Sequence, residues 1–199
     1  MDRKPFGEES MENTAQSQDD LNFIKNVVAQ RQRNADGPPA IYLLWGVITL
    51  AGYPILDWRP EYEGLYWLLM GPVGGALSFY FARRFQVARG ENSRTEGMRW
   101  LWHWLCVTAA IGLMALMVMN KQLTPSGVGP AILLMVTLGM ALAAVHSRSL
   151  LIWNALILAA GYVAIFFISS YVWTLIGVAF FLGSLMNFIL ARRANARTE

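Results

Sequence analysis

The sequence offers few of the residues on which catalysis, metal binding or redox chemistry depends. Its 199 residues include one cysteine, Cys106, and two histidines, His103 and His146. A single cysteine excludes a disulfide within the chain. The spacings CxxC, CxxCH and HExxH are absent, and so are a Walker loop and the pattern GxSxG. These absences predict that the protein is not an enzyme and carries neither a cofactor nor a metal ion.

Charge is also scarce, and six long stretches of the chain have none. Charged residues make up 15% of the sequence and apolar residues 55%, against about 25% and about 45–50% in soluble domains. A helix needs about 20 residues to cross a bilayer core of about 30 Å. The uncharged stretches are close to this length and cover residues 40–56, 64–81, 100–119, 128–145, 149–168 and 171–191. They predict an all-α, polytopic membrane protein with a bundle of six transmembrane helices.

Each stretch taken alone is also compatible with a buried helix of a soluble protein. Six in succession, without a polar stripe to face water, favour the membrane. Very short connections after the fourth and fifth stretches predict neighbouring helices, in an arrangement of three antiparallel hairpins. Small residues four positions apart predict close helix contacts. These pairs are Gly71 with Gly75, Gly139 with Ala143, and Ala179 with Gly183.

The missing charge also bears on the class of activity. A charged side chain at the bilayer centre costs at least about 2.5–3.5 kcal/mol on insertion scales, so it is kept where function needs it. None of the six stretches contains Asp, Glu, Lys or Arg. This weighs against an ion-driven transporter and against an intramembrane protease or phosphatase built on paired carboxylates. A channel or exporter lined by hydroxyls and amides stays open.

The distribution of the basic residues predicts an orientation. Lysine and arginine close to transmembrane helices concentrate on the cytoplasmic side. With both termini inside, the cytoplasmic segments hold all basic residues except Arg59 and Lys121. We therefore expect a multi-pass protein of the cell membrane with cytoplasmic N- and C-termini.

The first 36 residues differ in composition from the rest of the chain. Residues 1–20 contain no apolar run of the signal-peptide kind, so we expect the first span to act as the insertion signal. Residues 1–18 are predicted to form a disordered polar tail, and residues 19–36 an amphipathic juxtamembrane helix. In that helix Leu21, Ile24 and Val28 share a face. We expect it to lie on the membrane surface, with docking to a cytoplasmic partner as the alternative. The transmembrane domain would occupy residues 37–193, followed by a cytoplasmic tail at 194–199.

Tryptophan is concentrated close to the ends of the predicted spans. An indole ring is favoured at headgroup depth, where one edge is wet and the rest lies in an apolar medium. The stretch RWLWHWLC at residues 99–106 begins the third span in this way. The predicted interfacial anchors are Trp100, Trp102, Trp104, Trp153 and Trp173.

A few uncharged polar residues fall within the spans close to their predicted cytoplasmic ends, and His146 lies at such an end itself. At 1.5 Å per residue, all lie within about 10 Å of that boundary. They are His103, Cys106, His146, Asn154 and Asn187. They are compatible with one shared polar pocket in the inner leaflet, and also with interhelical hydrogen bonds or ordinary interface positions.

Two functional classes fit this pattern. The first is a non-enzymatic regulatory, sensory or scaffold membrane component that acts through its cytoplasmic N-terminal segment. The second is a small oligomeric transporter or channel that uses the inner-leaflet polar set. Expected partners are the bilayer with its anionic headgroups, a protein partner at residues 19–36 and a second copy of the chain, but no nucleic acid. The order of amphipathic segment, Gly-Pro-Pro break and apolar bundle resembles that of small bacterial membrane proteins, and the membrane we expect is the bacterial inner membrane.

Overall fold

The computed structural model describes residue 18 and residues 20–25, 38–88, 94–147 and 150–196. The chain divides into two units, Met1–Ala35 and Asp36–Glu199. In the first unit, residues 20–25 are helical and exposed. The remainder of the predicted amphipathic helix and nearly all of the predicted polar tail lie outside the described residues.

The second unit is built from six α-helices, and no strand occurs among its described residues. Five of the helices are long and apolar enough to cross a membrane. The fifth in chain order, with 14 residues, is shorter. The helices are α1 (Pro39–Trp58), α2 (Glu63–Ala88), α3 (Arg94–Met119), α4 (Pro125–Ser147), α5 (Leu151–Ala164) and α6 (Val172–Ala196), with a 3₁₀ helix at Pro60–Tyr62.

The helix bounds depart from the uncharged stretches in two ways. Helices α2 and α3 continue through arginines at their 83–88 and 94–99 ends, because arginine is a good helix former even where hydropathy falls. Helix α5 ends earlier than residue 168. After Ala164 the chain passes into tight turns, in which Phe166 and Phe167 donate backbone N–H groups to the carbonyls three residues before them. Tyr171, with φ of 56°, then reverses the chain into α6.

The helices pack in an order that differs from their order in the chain. Helices α1 and α6 form the most extensive contact, and α6 also packs against α5, which packs against α4. Helix α2 packs chiefly on α1, and α3 chiefly on α4. The resulting sequence of neighbours is α2, α1, α6, α5, α4, α3, so the first and last helices meet in the middle.

Glycine permits the central contact between α1 and α6. A Cβ atom at Gly177 would lie 3.2 Å from the backbone oxygen of Thr49, and one at Gly46 would lie 2.9 Å from Cβ of Ser184. The predicted close contacts also occur at Gly139, against Val107, and at Gly183, against Ile157. At Gly71 and Gly75 the prediction is wrong, since no described atom lies within 4 Å of a Cβ built there.

The core lies between the four central helices in this order of neighbours, which are α1, α6, α5 and α4. Leu133, Leu158, Ile176 and Phe180 are almost fully buried within it. In the apolar stretches of α1, α4 and α6 the buried share of residues is 33%, 39% and 39%, but in α2 and α3 it is 6%. Helices α2 and α3 therefore present most of their apolar surface outward.

Candidate functional site

Three polar side chains meet between α5 and α6. Asn154 donates from Nδ2 to Oγ of Ser184 at 2.9 Å, and Asn187 donates from Nδ2 to Oδ1 of Asn154 at 2.9 Å. Asn187 also donates to the backbone oxygen of Leu150, just before α5, at 3.0 Å. The exposed fractions of Asn154, Ser184 and Asn187 are 2%, 1% and 0%. These residues, called the amide cluster below, tie α5 to α6 by hydrogen bonds in an otherwise apolar interface.

One atom of the amide cluster lacks a hydrogen-bond partner. Both donor hydrogens of Asn187 are used, but its Oδ1 is buried without a partner among the described residues. An unpaired buried acceptor costs about 1–3 kcal/mol. Among the described residues, Oδ1 of Asn187 is therefore a position at which a proton donor, such as a water molecule, would be bound favourably.

Helical spacing explains why the cluster forms. Ser184 and Asn187 are three residues apart on α6, so their side chains share a face. Gly183 lies beside them, and a Cβ there would lie 3.4 Å from Oδ1 of Asn154. The missing side chain at Gly183 leaves the room in which Asn154 reaches across from α5.

His103 is separate from the amide cluster and links α3 to α4. Its Nε2 lies 3.0 Å from the backbone oxygen of Gly139, so the tautomer with a proton on Nε2 donates this bond. The ring meets Trp100 and Trp104 edge-on, with centroid distances of 6.2 Å and 5.3 Å. These three residues follow the spacing i, i+3, i+4 and form the face of α3 that includes its contact with α4.

The other two members of the predicted polar set lie on exposed faces. Cys106 is exposed on α3. His146 is exposed on α4, and its Nδ1 lies 2.7 Å from the backbone oxygen of Leu142, one turn earlier in the same helix. Of the five residues, the structure brings only Asn154 and Asn187 into hydrogen-bonding contact, whereas His103, Cys106 and His146 stand apart.

The predicted tryptophan anchors occupy two kinds of environment. Trp102 and Trp153 are exposed. Trp100 and Trp104 are half-buried beside His103, and Trp173 packs on Tyr53 at the edge of the core, with a centroid distance of 5.9 Å. The RWLWHWLC stretch is therefore divided between an inward face and an outward face.

A second polar contact, which sequence reasoning missed, joins the end of α1 to the start of α6. Oδ2 of Asp57 accepts hydrogen bonds from the backbone N–H and the hydroxyl of Thr174, both at 2.7 Å. Thr174 lies in the first turn of α6, where a helix has unpaired N–H groups and a partial positive charge. A carboxylate from another helix thus serves the function of an N-terminal cap.

Two further bonds hold α2 against α1. Nε1 of Trp45 donates to Oγ of Ser78 at 3.0 Å, and the hydroxyl of Tyr66 donates to the backbone oxygen of Ile48 at 2.6 Å. Among the residues that the structure describes, no three His, Cys, Asp or Glu side chains are grouped so that they could hold a metal ion. The polar chemistry described is therefore mainly hydrogen bonding between helices.

Over the residues that the structure describes, fold and site together define the class of the protein as all-helical, with five helices long and apolar enough to cross a membrane. Comparison with known protein families, with curated proteins and with solved structures found no match.

Proposed function

We propose that the chain is an integral membrane protein with six transmembrane helices and that both termini lie in the cytoplasm. Five helices of sufficient length and hydropathy support this, together with fourteen of sixteen basic residues on one side of the resulting topology. The membrane we assign is the bacterial inner membrane.

Helix α5 is proposed as the remaining span although its regular part is short. Fourteen residues rise about 21 Å, and the apolar turns over residues 165–168 extend the segment further. Helix α5 packs beside α4 and α6, both of which are long enough to cross. An α5 that crossed between them would keep the alternation of sides on which the orientation depends.

We propose further that the protein is a non-enzymatic regulatory, sensory or scaffold component that acts through its cytoplasmic N-terminal segment. The observation that carries this proposal is the contrast between the two units. Buried polar groups in the bundle are bonded mainly to one another and to backbone, which is how interhelical contacts are stabilised. In contrast, Leu21 and Ile24, three residues apart in the helical segment at residues 20–25, are exposed apolar side chains.

Site-specific photocrosslinking in cells tests this function. A crosslinking amino acid at Leu21 or Ile24 should capture one defined protein partner, and at Asn22, an exposed polar position on the same segment, it should capture far less. Deletion of residues 1–36 should abolish recovery of that partner while the chain stays in the membrane fraction. Crosslinks to lipid alone would overturn the partner role and assign this segment to the membrane surface.

A small oligomeric transporter or channel remains a second candidate, supported by Oδ1 of Asn187. A buried amide oxygen with an unused lone pair can receive a passing proton donor. Reconstitution into liposomes decides between the classes. Solute flux that falls with Asn187→Leu and persists with Asn120→Leu, an exposed position in the turn after α3, would favour transport over scaffolding.

A further inference from the structure

Two adjacent arginines, Arg83 and Arg84, are exposed at the C-terminal end of α2. Neither Arg83 nor Arg84 forms an ion pair with a carboxylate in the part of the chain that the structure describes. With Tyr80 and Val87 they line an open cavity of about 330 Å³. These four residues follow the spacing i, i+3, i+4, i+7 and so form one face of the helix. We call them the arginine face.

An exposed apolar stripe leads along α2 to the arginine face. Leu69, Val73 and Leu77 are all exposed and follow one another at intervals of four residues, with Tyr80 three residues after Leu77. From Leu69 to Tyr80 the helix rises about 16 Å. That length matches the hydrocarbon depth of a single leaflet, about half of a 30 Å core.

The two features together have the chemistry of a phospholipid. An acyl chain packs against an apolar stripe, and the phosphate lies at the depth where the stripe ends. Guanidinium groups bind phosphate through paired N–H donors, which gives arginine an advantage over lysine at such a site. Tyr80 stands between stripe and arginines, and its ring and hydroxyl suit the boundary between hydrocarbon and headgroup.

We propose that the arginine face binds an anionic phospholipid of the inner leaflet, with the phosphate held by Arg83 and Arg84 and an acyl chain along the stripe from Leu69 to Leu77. This inference rests on the proposed membrane topology, which places this end of α2 on the cytoplasmic side. A lipid with net negative charge suits this face, since a zwitterionic headgroup would place its own cation beside the two arginines.

The chain contains a matched control at the end of α6. Arg192 and Arg193 are also adjacent, exposed and at the predicted cytoplasmic side. Ile189 takes the place of Tyr80, three residues before the first arginine and four before the second, so no tyrosine hydroxyl occupies this position beside the pair. Substituting either pair by glutamine removes the same amount of charge.

Native mass spectrometry of the full chain in mild detergent tests the proposal, with phosphatidylglycerol, phosphatidylcholine or inorganic phosphate added in turn. The wild-type chain and R192Q/R193Q should retain phosphatidylglycerol at least about tenfold more strongly than R83Q/R84Q. R83K/R84K should lose part of the affinity because the charge remains but the paired donors do not. Retained thermal unfolding transitions would show that the variants are folded.

Several results would overturn the proposal. Equal losses in both glutamine pairs would indicate nonspecific charge attraction, and equal retention of phosphatidylcholine would remove the anionic requirement. Competition by millimolar inorganic phosphate would indicate a free anion as the ligand. If the proposed transmembrane topology itself were wrong, the result would differ from all of these. The chain would then stay monodisperse without detergent and would associate with no phospholipid.

Discussion

Substitution of Asn187 tests the energetics of the bundle most directly. Its side chain is completely buried and is bonded to Asn154 and to the backbone before α5, yet its oxygen is unpaired among the described residues. In an apolar surrounding, each hydrogen bond that one of these amide side chains loses leaves its buried partner unsatisfied. Asn154 and Asn187 should therefore behave as one energetic unit.

A double-mutant cycle measures that coupling. We expect Asn154→Ala and Asn187→Ala each to lower the free energy of unfolding in detergent by about 1–3 kcal/mol. The double variant should fall short of the sum by about 0.6 kcal/mol and by no more than about 1.7 kcal/mol, the average and the maximum for interhelical hydrogen bonds in membranes.

Two controls sharpen the cycle. Asn120→Ala should change stability by less than about 0.5 kcal/mol, since Asn120 is exposed and its side chain donates to the backbone oxygen of Leu116 in the same helix region. His103→Ala should add to Asn187→Ala without coupling, because His103 bonds to Gly139 on another helix. Strict additivity between Asn154 and Asn187 would contradict the cluster.

Asp57 supports a second prediction, since its carboxylate accepts two hydrogen bonds from Thr174. Asp57→Ala should lower the free energy of unfolding by about 1.5–3 kcal/mol, as expected for hydrogen bonds to a charged group. Thr174→Val retains the backbone bond and should cost less. Glu61→Gln is the control, because its ion pair with Arg59 is exposed and such pairs contribute about 0–1 kcal/mol. Thermal unfolding in detergent measures whether the stability losses rank as Asp57→Ala, then Thr174→Val, then Glu61→Gln. A loss of stability in Asp57→Ala no larger than that in Glu61→Gln would disprove the capping role of Asp57.

At these positions the sequence predicted part of the site. Asn154 and Asn187 were recognisable because an amide within an apolar span needs a partner. Ser184 was not recognisable from the sequence, because a serine hydroxyl can form a hydrogen bond to its own helix and so gives a weak signal. The available clue was its position three residues before Asn187. His146 has the depth along its helix that a shared pocket requires, but depth does not determine the direction in which a side chain points.

Among the helices, the α1 and α6 pair depends most on small residues. At Gly177 a Cβ would lie 3.2 Å from the backbone oxygen of Thr49. Because that oxygen belongs to the backbone of α1, the two helices must separate to admit a methyl group. Gly71 on α2 faces open space instead.

The two glycines should respond oppositely to alanine. Gly177→Ala should destabilise the fold by about 1–3 kcal/mol through overpacking. Gly71→Ala should be neutral or stabilise it by up to about 1 kcal/mol, because alanine restricts the unfolded chain. Unfolding midpoints in the same detergent provide the comparison, and equal shifts in one direction would contradict the close contact.

Helix ends were harder to predict than helix existence. A hydropathy pattern stops at the first arginine, whereas the hydrogen-bonded helix of α2 continues to Ala88. Conversely, the apolar residues after Ala164 predict a continued transmembrane helix, but the backbone forms turns there. Hydropathy reports the medium that a residue prefers, and it does not report where the backbone changes direction.

At the level of the whole molecule, the order of neighbouring helices could not be deduced from the sequence. Stretches that are apolar on all sides have no preferred face, so hydropathy does not choose their neighbours. The observed order depends on particular contacts, such as Gly177 against Thr49 and Asn154 against Ser184. The first helix meets the last, so the central contact can form only after α6 has been made.

The most direct test of the account labels single cysteines from one side of the membrane. In a Cys106→Ser background, Glu61→Cys and Gln122→Cys should react with a membrane-impermeant maleimide in intact cells. Glu12→Cys and Thr198→Cys should react only after permeabilisation, since both termini are assigned to the cytoplasm. Labelling of Glu12→Cys or Thr198→Cys in intact cells, or recovery of the chain in the aqueous fraction without detergent, would contradict the topology on which the account depends.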